Sequence, residues 1–382
     1  MAEVTSLRGF DQRDLNFHKI VKSSWGATLA EDRDVEMLGK TYPDLYGFYW
    51  EDRWGSERVM GLLGRDFSVD SGGGLNGGTI GFIGDTESTY FGLLDKWYIS
   101  DLNLSALRLA RVAATRGTAD DQRVLDGMFA GADRFMLSGF DDYADGRGGS
   151  DLLRGRGGDD VLLGGAGNDT LRGEAGSDIL VLDSGDDLLV GGSGRDTVQA
   201  AGTRRVAIDL AETGVQATGR GHDTIRGVEN ALGAAGHDRI GGNRRDNLLD
   251  GGTGNDRLDG RGGDDWLIGG EGRDTMTGGA GADHFVFATV DEMGGSFRKA
   301  DAITDFRAGR DVIDLGRIGA DFAFSGHALD GAGAGIACVR LDRPGDDRDW
   351  TVILVDQDGD GRADGRIRLA GLHDLSADDF IL

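Results

Sequence analysis

The sequence has 382 residues, including 69 glycines and 2 prolines, and its formal net charge is −26. Abundant glycine with almost no proline excludes collagen and proline-rich disorder. The acidic charge argues against nucleic acid or an anionic membrane as partner, because phosphates are bound by clustered Lys and Arg, and it favours cations. The single cysteine, Cys338, excludes an internal disulfide framework.

The N-terminus has no apolar signal-peptide core, and no uncharged apolar run is long enough to cross a bilayer. The sequence therefore predicts no cleaved N-terminal signal and no transmembrane segment.

Residues 1–136 are predicted to form a small, mainly-β module whose activity the sequence does not reveal. An aromatic stretch runs from Tyr42 to Trp54, further strand-like segments follow, and Leu104 to Ala114 is predicted to form an amphipathic helix. Tyr49, Trp50 and Trp54 are candidates to stack on sugar rings or on a partner surface, although such aromatics also pack in strand cores.

Known catalytic motifs are missing from this module. It has no HExxH zinc-protease motif, no G-x-S-x-G lipase motif and no cysteine nucleophile. A glycosidase that uses two carboxylates is compatible with its composition.

A nine-residue unit then repeats six times from Gly146, and six times again from Gly233 to Val286. The unit GGAGNDTLR, from Gly164 to Arg172, shows the pattern. Glycines occupy the first, second and fourth places, the sixth is acidic, and the eighth is apolar. The sixth-place residues are Asp151, Asp160, Asp169, Asp178, Asp187 and Asp196, then Asp238, Asn247, Asp256, Asp265, Asp274 and Asp283.

This period predicts short strands whose eighth-place residue points inward, joined by tight glycine turns. Carboxylate and turn carbonyl oxygens are the ligands that Ca²⁺ prefers. We therefore predict several calcium sites at the sixth-place Asp residues, apart from the doubtful Asn247. The turn glycines that contribute are Gly146, Gly155, Gly164, Gly165, Gly167, Gly173, Gly176, Gly191, Gly251, Gly252, Gly254, Gly260, Gly269, Gly270, Gly272, Gly278 and Gly281.

The repeats resemble the RTX (hemolysin-type) calcium-binding nonapeptides. The resemblance implies a parallel β-roll in which two nonapeptides make one coil and calcium lies between turns on the same edge. One edge would then hold Asp151, Asp169 and Asp187, and the other Asp160, Asp178 and Asp196. Carboxylates about 4.8 Å apart repel by roughly 3 kcal/mol at an effective dielectric of 20, so the roll is expected to fold only with calcium.

Residues 200–232 interrupt the repeats. Strands are predicted around VAIDL and TIRGVENAL, in a spacer where the chain leaves the roll and re-enters it. His222 and His237 have no partner at metal-ligand spacing and are predicted to be solvated or edge residues.

The C-terminal residues 287–382 are predicted to form a β-rich cap. The segments ADHFVF, ITDF, DVIDL and the final DFIL resemble the C-terminal domain of serralysin-type secreted proteases. That resemblance implies an uncleaved type I (ABC transporter) secretion signal at Asp379 to Leu382. The loop DQDGDGRAD places Asp356, Asp358, Asp360 and Asp364 as in the first half of an EF-hand, but Ile367 stands where its Glu would be. A further calcium site and a plain acidic hairpin both remain open here.

The sequence thus predicts an all-β chain of five parts: an N-terminal module (1–136), a first RTX roll (137–199), a spacer (200–232), a second roll (233–286) and a cap (287–382). We expect a secreted, extracellular calcium-binding protein without catalytic activity, which binds a cell-surface polysaccharide or protein. The alternative is a secreted hydrolase or polysaccharide-acting enzyme whose N-terminal module is catalytic.

Overall fold

The computed structural model describes residues 129–382 except 138, 330, 332 and 342–348, and before them the backbones of eight strands. It divides into two compact units, Met1–Gly194 and Arg195–Leu382. The described residues contain strands, turns and one short 3₁₀ turn, and no α-helix. The all-β prediction is confirmed.

The first unit begins with mostly antiparallel strands: β1 (Glu3–Ser6), β2 (Gly26–Ala30), β3 (Val35–Met37), β4 (Lys40–Tyr42), β5 (Asp44–Glu51), β6 (Glu57–Val69), β7 (Leu75–Thr89) and β8 (Gly92–Ser105). Strands β5 to β8 pair in succession, while β2 pairs with β5 and β1 with β8. The predicted helix overlaps the end of β8 at Leu104 and Ser105, where its prediction is wrong. Its remainder lies outside the described residues.

The repeats of the first unit form two stacks of short parallel strands. The strands are β9 (Arg134–Met136), β10 (Tyr143–Asp145), β11 (Leu152–Arg154), β12 (Val161–Leu163), β13 (Thr170–Ala175), β14 (Ile179–Leu182) and β15 (Leu188–Ser193). Strands β9, β11, β13 and β15 pair in that order, and β10, β12 and β14 form the other stack. Leu153 is in register with Leu171 and Leu171 with Leu189. Two nonapeptides therefore make one coil, which confirms the predicted parallel β-roll.

The second unit repeats this arrangement. Its strands are β16 (Thr197–Ala200), β17 (Ala207–Asp209), β18 (Val215–Ala217), β19 (His222–Arg226), β20 (Asn230–Leu232), β21 (Arg239–Gly241), β22 (Leu248–Asp250), β23 (Thr253–Gly254), β24 (Arg257–Asp259), β25 (Trp266–Ile268), β26 (Glu271–Gly272), β27 (Thr275–Thr277), β28 (His284–Val286), β29 (Asp301–Ile303), β30 (Val312–Asp314), β31 (Ala323–Gly326), β32 (Gly335–Leu341), β33 (Trp350–Asp356), β34 (Gly365–Ala370) and β35 (Phe380–Ile381).

Strands from the predicted spacer belong to these stacks. Strand β17 pairs in parallel with β21, and β20 with β22, while β18 and β19 form an antiparallel pair. The expectation that the chain leaves the roll here is wrong for β17 and β20. Ile208 and Ala231 lie at the inward place of their strands and are buried, so the roll core continues through them.

The predicted cap continues both stacks before it closes them. Strand β29 pairs with β27, β30 with β28, and β35 with β30. The stack that contains β29 continues with β34, which pairs with β29 in parallel. Strand β33 pairs antiparallel with β34, and β32 pairs antiparallel with β33. Strand β31 pairs with β32 and ends this stack. The Arg368 guanidinium lies 5.2 and 5.0 Å from the ring centres of Phe297 and Trp350 and donates to the Ala300 carbonyl at 2.8 Å.

Each repeat contributes its eighth-place apolar side chain to the core. All twelve eighth-place residues are at most 1% exposed: Leu153, Leu162, Leu171, Leu180, Leu189, Val198, Ile240, Leu249, Leu258, Leu267, Met276 and Phe285. Because a period-two strand sends alternate side chains to opposite faces, the neighbours of each core residue point outward.

Candidate metal centre

The sixth-place carboxylates form two ladders along the first roll, one on each edge. Five of these Asp residues, from Asp151 to Asp187, accept a hydrogen bond at Oδ1 from the backbone N–H of the residue 18 positions, or one coil, earlier. The N–H of Asp133 donates to Asp151 at 2.7 Å, and that of Asp142 donates to Asp160 at 2.8 Å. The same bond runs to Asp169, Asp178 and Asp187.

The second roll has the same ladders. The N–H of Asp238 donates to Oδ1 of Asp256, and the N–H of Asp256 donates to Oδ1 of Asp274, at 2.7 Å each. Asp265 and Asp283 accept in the same way at 2.8 and 3.1 Å. The predicted edges are therefore present in both units, with one oxygen of each carboxylate used to join the coils.

The second oxygen of these carboxylates is buried and has no hydrogen-bond partner among the described residues. This holds for Oδ2 of Asp151, Asp160, Asp169, Asp256, Asp265, Asp274 and Asp283, all of them 3% exposed or less. A buried carboxylate oxygen without a partner is costly. A set made only of oxygen donors fits a hard cation such as Ca²⁺.

Glycine at the first place makes room for that oxygen. A Cβ built on Gly155 would lie 2.0 Å from Oδ2 of Asp160 and 2.8 Å from the Gly173 carbonyl oxygen. The predicted first-place glycines Gly146, Gly164, Gly173, Gly251, Gly260, Gly269 and Gly278 face their own Asp in the same way. Gly191 lies in β15. Any larger residue would fill the space beside the carboxylate.

The other predicted glycines set the path of the turn. Gly165, Gly167, Gly176, Gly252, Gly254, Gly270, Gly272 and Gly281 all have a positive φ. At Gly167, where φ is +135°, a Cβ would lie 1.4 Å from the Gly149 carbonyl oxygen. The backbones of successive turns therefore touch, and glycine is required at their contact.

Burial raises the pKa of these carboxyls. The pKa rises to about 8 for Asp160 and to about 7 for Asp151, Asp256 and Asp265. Backbone hydrogen bonds oppose part of the shift, and the charges of neighbouring Asp residues add to it. Each roll edge is therefore a line of carboxylates that a bound cation would stabilise in the charged form.

The ladders are longer than the repeats identified from the sequence. Asp133 and Asp142, which begin them, lie eighteen and nine residues before Asp151, so the nine-residue step extended backward would have found them. Beyond the repeats, Asp301 accepts from the N–H of Asp274 at 2.6 Å, and Asp311 from that of Asp283 at 3.3 Å. These spacings of 27 and 28 residues replace the 18-residue coil; Asp301 still falls on the nine-residue step, whereas Asp311 does not.

Asn247 takes the place of an Asp and continues the ladder through its backbone N–H, while its side-chain oxygen accepts from the Asn243 N–H within the turn. Its N–H donates to Asp265 at 2.8 Å, and its Nδ2 donates to the Glu229 carbonyl at 2.7 Å. Glu229 accepts at Oε2 from the N–H of Asp196 at 3.1 Å, so it stands in for a sixth-place Asp. Asn247 has an NH₂ group where the neighbouring Asp residues have a second carboxylate oxygen. It is therefore not a candidate calcium ligand, whereas those Asp residues are.

Within the described part of the chain, two groups of three carboxylates lie close enough to share an ion. Oxygens of Asp169, Asp183 and Asp187 lie within 4.8 Å of one another. Asp183 was missed from the sequence because it stands at the second place. Burial raises its pKa to about 7.

The second group is Asp356, Asp358 and Asp364. Both oxygens of Asp356 accept from glycine N–H groups within the loop, and Asp364 accepts from Gln357 and Asp358. These backbone hydrogen bonds within the loop give the carboxylates of Asp356 and Asp364 their partners, as in an acidic turn.

The remaining sequence candidates are two histidines and three aromatic residues. Exposed His237 accepts at Nδ1 from the Asn255 N–H at 2.8 Å, a turn contact, and His222 is also exposed. Tyr49 and Trp50 lie on β5, but their side chains and the whole of Trp54 lie outside the described residues. The described residues include no helix long and apolar enough to cross a membrane.

Comparison with known proteins agrees with this geometry. The RTX calcium-binding nonapeptide repeat family (4 copies) matches residues 129–162, 137–171 and 163–198. The Peptidase M10 serralysin C-terminal family matches residues 224–382. No curated protein matches the sequence.

Two solved structures are among those similar to the chain. The solution structure of the AlgE6R3 subunit of the Azotobacter vinelandii mannuronan C5-epimerase is 25% identical, with a TM-score of 0.29, over 47% of this chain and 80% of that one. The crystal structure of extracellular lipase LipA from Serratia marcescens is 19% identical, with a TM-score of 0.27, over 66% of this chain and 40% of the lipase chain. The two family matches show that the chain carries RTX calcium-binding nonapeptide repeats over residues 129–198 and a serralysin-type C-terminal domain over residues 224–382.

Proposed function

We propose that the chain is a secreted protein whose β-roll folds when calcium binds outside the cell. The observation that carries this proposal is the row of buried carboxylate oxygens without a partner, such as Oδ2 of Asp151, Asp160 and Asp265. Calcium would supply the positive charge and the coordination that these oxygens lack. The unfolded chain has no such site, so metal affinity becomes folding free energy.

The residues that would hold the ions are the sixth-place carboxylates and the carbonyls of the turn glycines predicted above. The ladder oxygens Oδ1 remain bound to backbone N–H groups, which orients each carboxylate. Asp301 extends the set, because its Oδ2 is also buried without a partner and its pKa is raised to about 8 by burial.

Circular dichroism of the full chain tests this proposal. At neutral pH in chelator we expect little β-sheet signal from the repeats, and a cooperative gain on adding millimolar Ca²⁺. Mg²⁺ at the same concentration is the control, since it demands a tighter octahedral geometry. A spectrum that stays the same across the calcium titration would overturn the proposal.

We further propose type I export through the C-terminus. Phe380 is buried in the final strand β35, which pairs with β30, and Asp379 accepts at Oδ1 from the Gly309 N–H at 2.6 Å. The segment is thus a structural strand after folding, and it would serve as the signal while the chain is unfolded. Deleting Asp379 to Leu382 should stop export from a host that carries a type I exporter. Export that continues would count against this part.

For residues 1–136 we propose a non-catalytic binding role, which rests on the aromatic stretch in the sequence. The full chain loaded with calcium should be retained on polysaccharide or bacterial cells, and Trp50→Ala with Trp54→Ala should lose retention without release of sugar. Released sugar that disappears on replacing one carboxylate before residue 137 would instead establish the hydrolase alternative.

A further inference from the structure

The second place of the repeat varies along the chain, and one repeat has an aspartate there. The unit from Leu182 to Val190 has Asp183 there, where the unit one coil earlier has Gly165. Carboxylate oxygens of Asp169, Asp183 and Asp187 lie within 4.8 Å of one another. The turn therefore brings a second-place carboxylate to two carboxylates of the ladder.

The backbone explains why this side chain reaches the ladder. The second-place residues Arg147 and Glu174 are left-handed, with φ of 70° and 77°, whereas Asp183 is not among the positive-φ residues. Oδ2 of Asp183 accepts from the Gly165 N–H at 2.6 Å, so the carboxylate lies against the turn of the preceding coil. Glu174 is the contrast, because its carboxylate accepts from Arg154 at 2.7 Å instead.

Asp169 supplies an independent sign of a ligand. It is 2% exposed, and its Oδ1 accepts from the Asp151 N–H at 2.7 Å, but its Oδ2 is buried and has no partner. Hydrogen bonds within the turn therefore do not account for this group. An oxygen that is buried beside two further carboxylates is suited to a cation and poorly suited to any other neighbour.

We propose that Asp169, Asp183 and Asp187 together bind one calcium ion, at a site strengthened by the second-place carboxylate. The inference rests on the proposed calcium-dependent folding and deepens it. Calcium affinity rises with the number of charged ligands, so this site fills first as calcium increases. Folding of the first roll then begins at this turn, because the bound ion holds two successive coils together.

Calcium binding to the full chain tests the inference. Isothermal titration calorimetry after chelator treatment gives the affinity of the tightest step, and equilibrium dialysis gives the number of ions bound at low calcium. Asp183→Asn removes the charge with little change of shape. Asp183→Gly restores the glycine found one coil earlier at Gly165, which keeps the turn foldable. Asp186→Asn, in the same turn and exposed, is the matched control.

We expect both Asp183 variants to lose the tightest ion, with the affinity of that step lower by tenfold or more, on the order expected for losing one charged ligand. The Asp186 variant should titrate like the wild type. Unchanged tight binding in both Asp183 variants, with the wild type folding on calcium, would overturn this inference alone. A wild type that binds no calcium would overturn the proposed function and this inference together.

Discussion

The substitution Asp160→Asn separates the two roles of a ladder carboxylate. Asparagine keeps an oxygen that can accept from the Asp142 N–H, which Asp160 does at 2.8 Å, but it carries no charge for a cation. Asn247 in the second roll shows that an amide fits at this place, although its oxygen accepts from the Asn243 N–H at 2.7 Å and its Nδ2 donates to the Glu229 carbonyl. We therefore expect the variant to stabilise the roll without metal and to weaken its response to calcium.

The size of the effect follows from the pKa of Asp160, which burial raises from 3.8 to about 8. A shift of about four units corresponds to about 6 kcal/mol, and screening by water near the turn reduces this to about 3 kcal/mol. Because the folded pKa is raised, the metal-free roll is most stable below pH 3.8 and loses this stability as pH rises through about 8.

An acid titration in chelator, followed by circular dichroism, measures the effect. The wild type should gain β-sheet signal as pH falls between about 8 and 4. The midpoint of Asp160→Asn should lie about half a pH unit higher, since several carboxyls titrate together. Asp159→Asn, an exposed neighbour, should leave the midpoint unchanged. A midpoint that stays in place or moves to lower pH in Asp160→Asn would refute the reasoning.

Three further substitutions test the packing of the calcium-loaded chain by urea denaturation. Gly167→Ala places a Cβ 1.4 Å from the Gly149 carbonyl oxygen at a φ of +135° and should cost about 3 kcal/mol or more, whereas Gly139→Ala, with open space around it, should cost little. Leu162→Ala empties a fully buried core place and should cost about 2–5 kcal/mol; a smaller loss would mean that the coil collapses around it. Arg368→Lys loses the planar group between two aromatic rings and should cost about 1–2 kcal/mol; an unchanged midpoint would show that the stacking contributes nothing.

The sequence was sufficient to predict the repeat strands because each nine-residue repeat places the same residue types at the same structural positions. Every nine residues one side chain must point inward and one carboxylate must face the turn, so Leu162 and Asp160 could be assigned from spacing alone. The 18-residue coil was implied by the resemblance to the RTX family, and the pairing of β12 with β14 confirms it.

Spacing failed where insertions or substitutions break the period. Asp311 joins the ladder across 28 residues, and Glu229 replaces an Asp with a longer side chain. Asp183 required the fold, because only the backbone direction at the second place shows whether a side chain turns toward the ladder. The strands of the predicted spacer were recognised, but their pairing with the roll depends on contacts that their sequence does not encode locally.

Amide hydrogen exchange of the ladder tests the central claim most directly. The N–H groups of Asp142 and Asp151 donate to the carboxylates of Asp160 and Asp169, so their exchange reports whether each coil is joined to the next. At neutral pH we expect strong protection of peptides from residues 129–198 in calcium and rapid exchange in chelator, with protection restored when calcium returns. Equal protection in calcium and in chelator would show that the carboxylate ladders hold without metal and would contradict calcium-dependent folding.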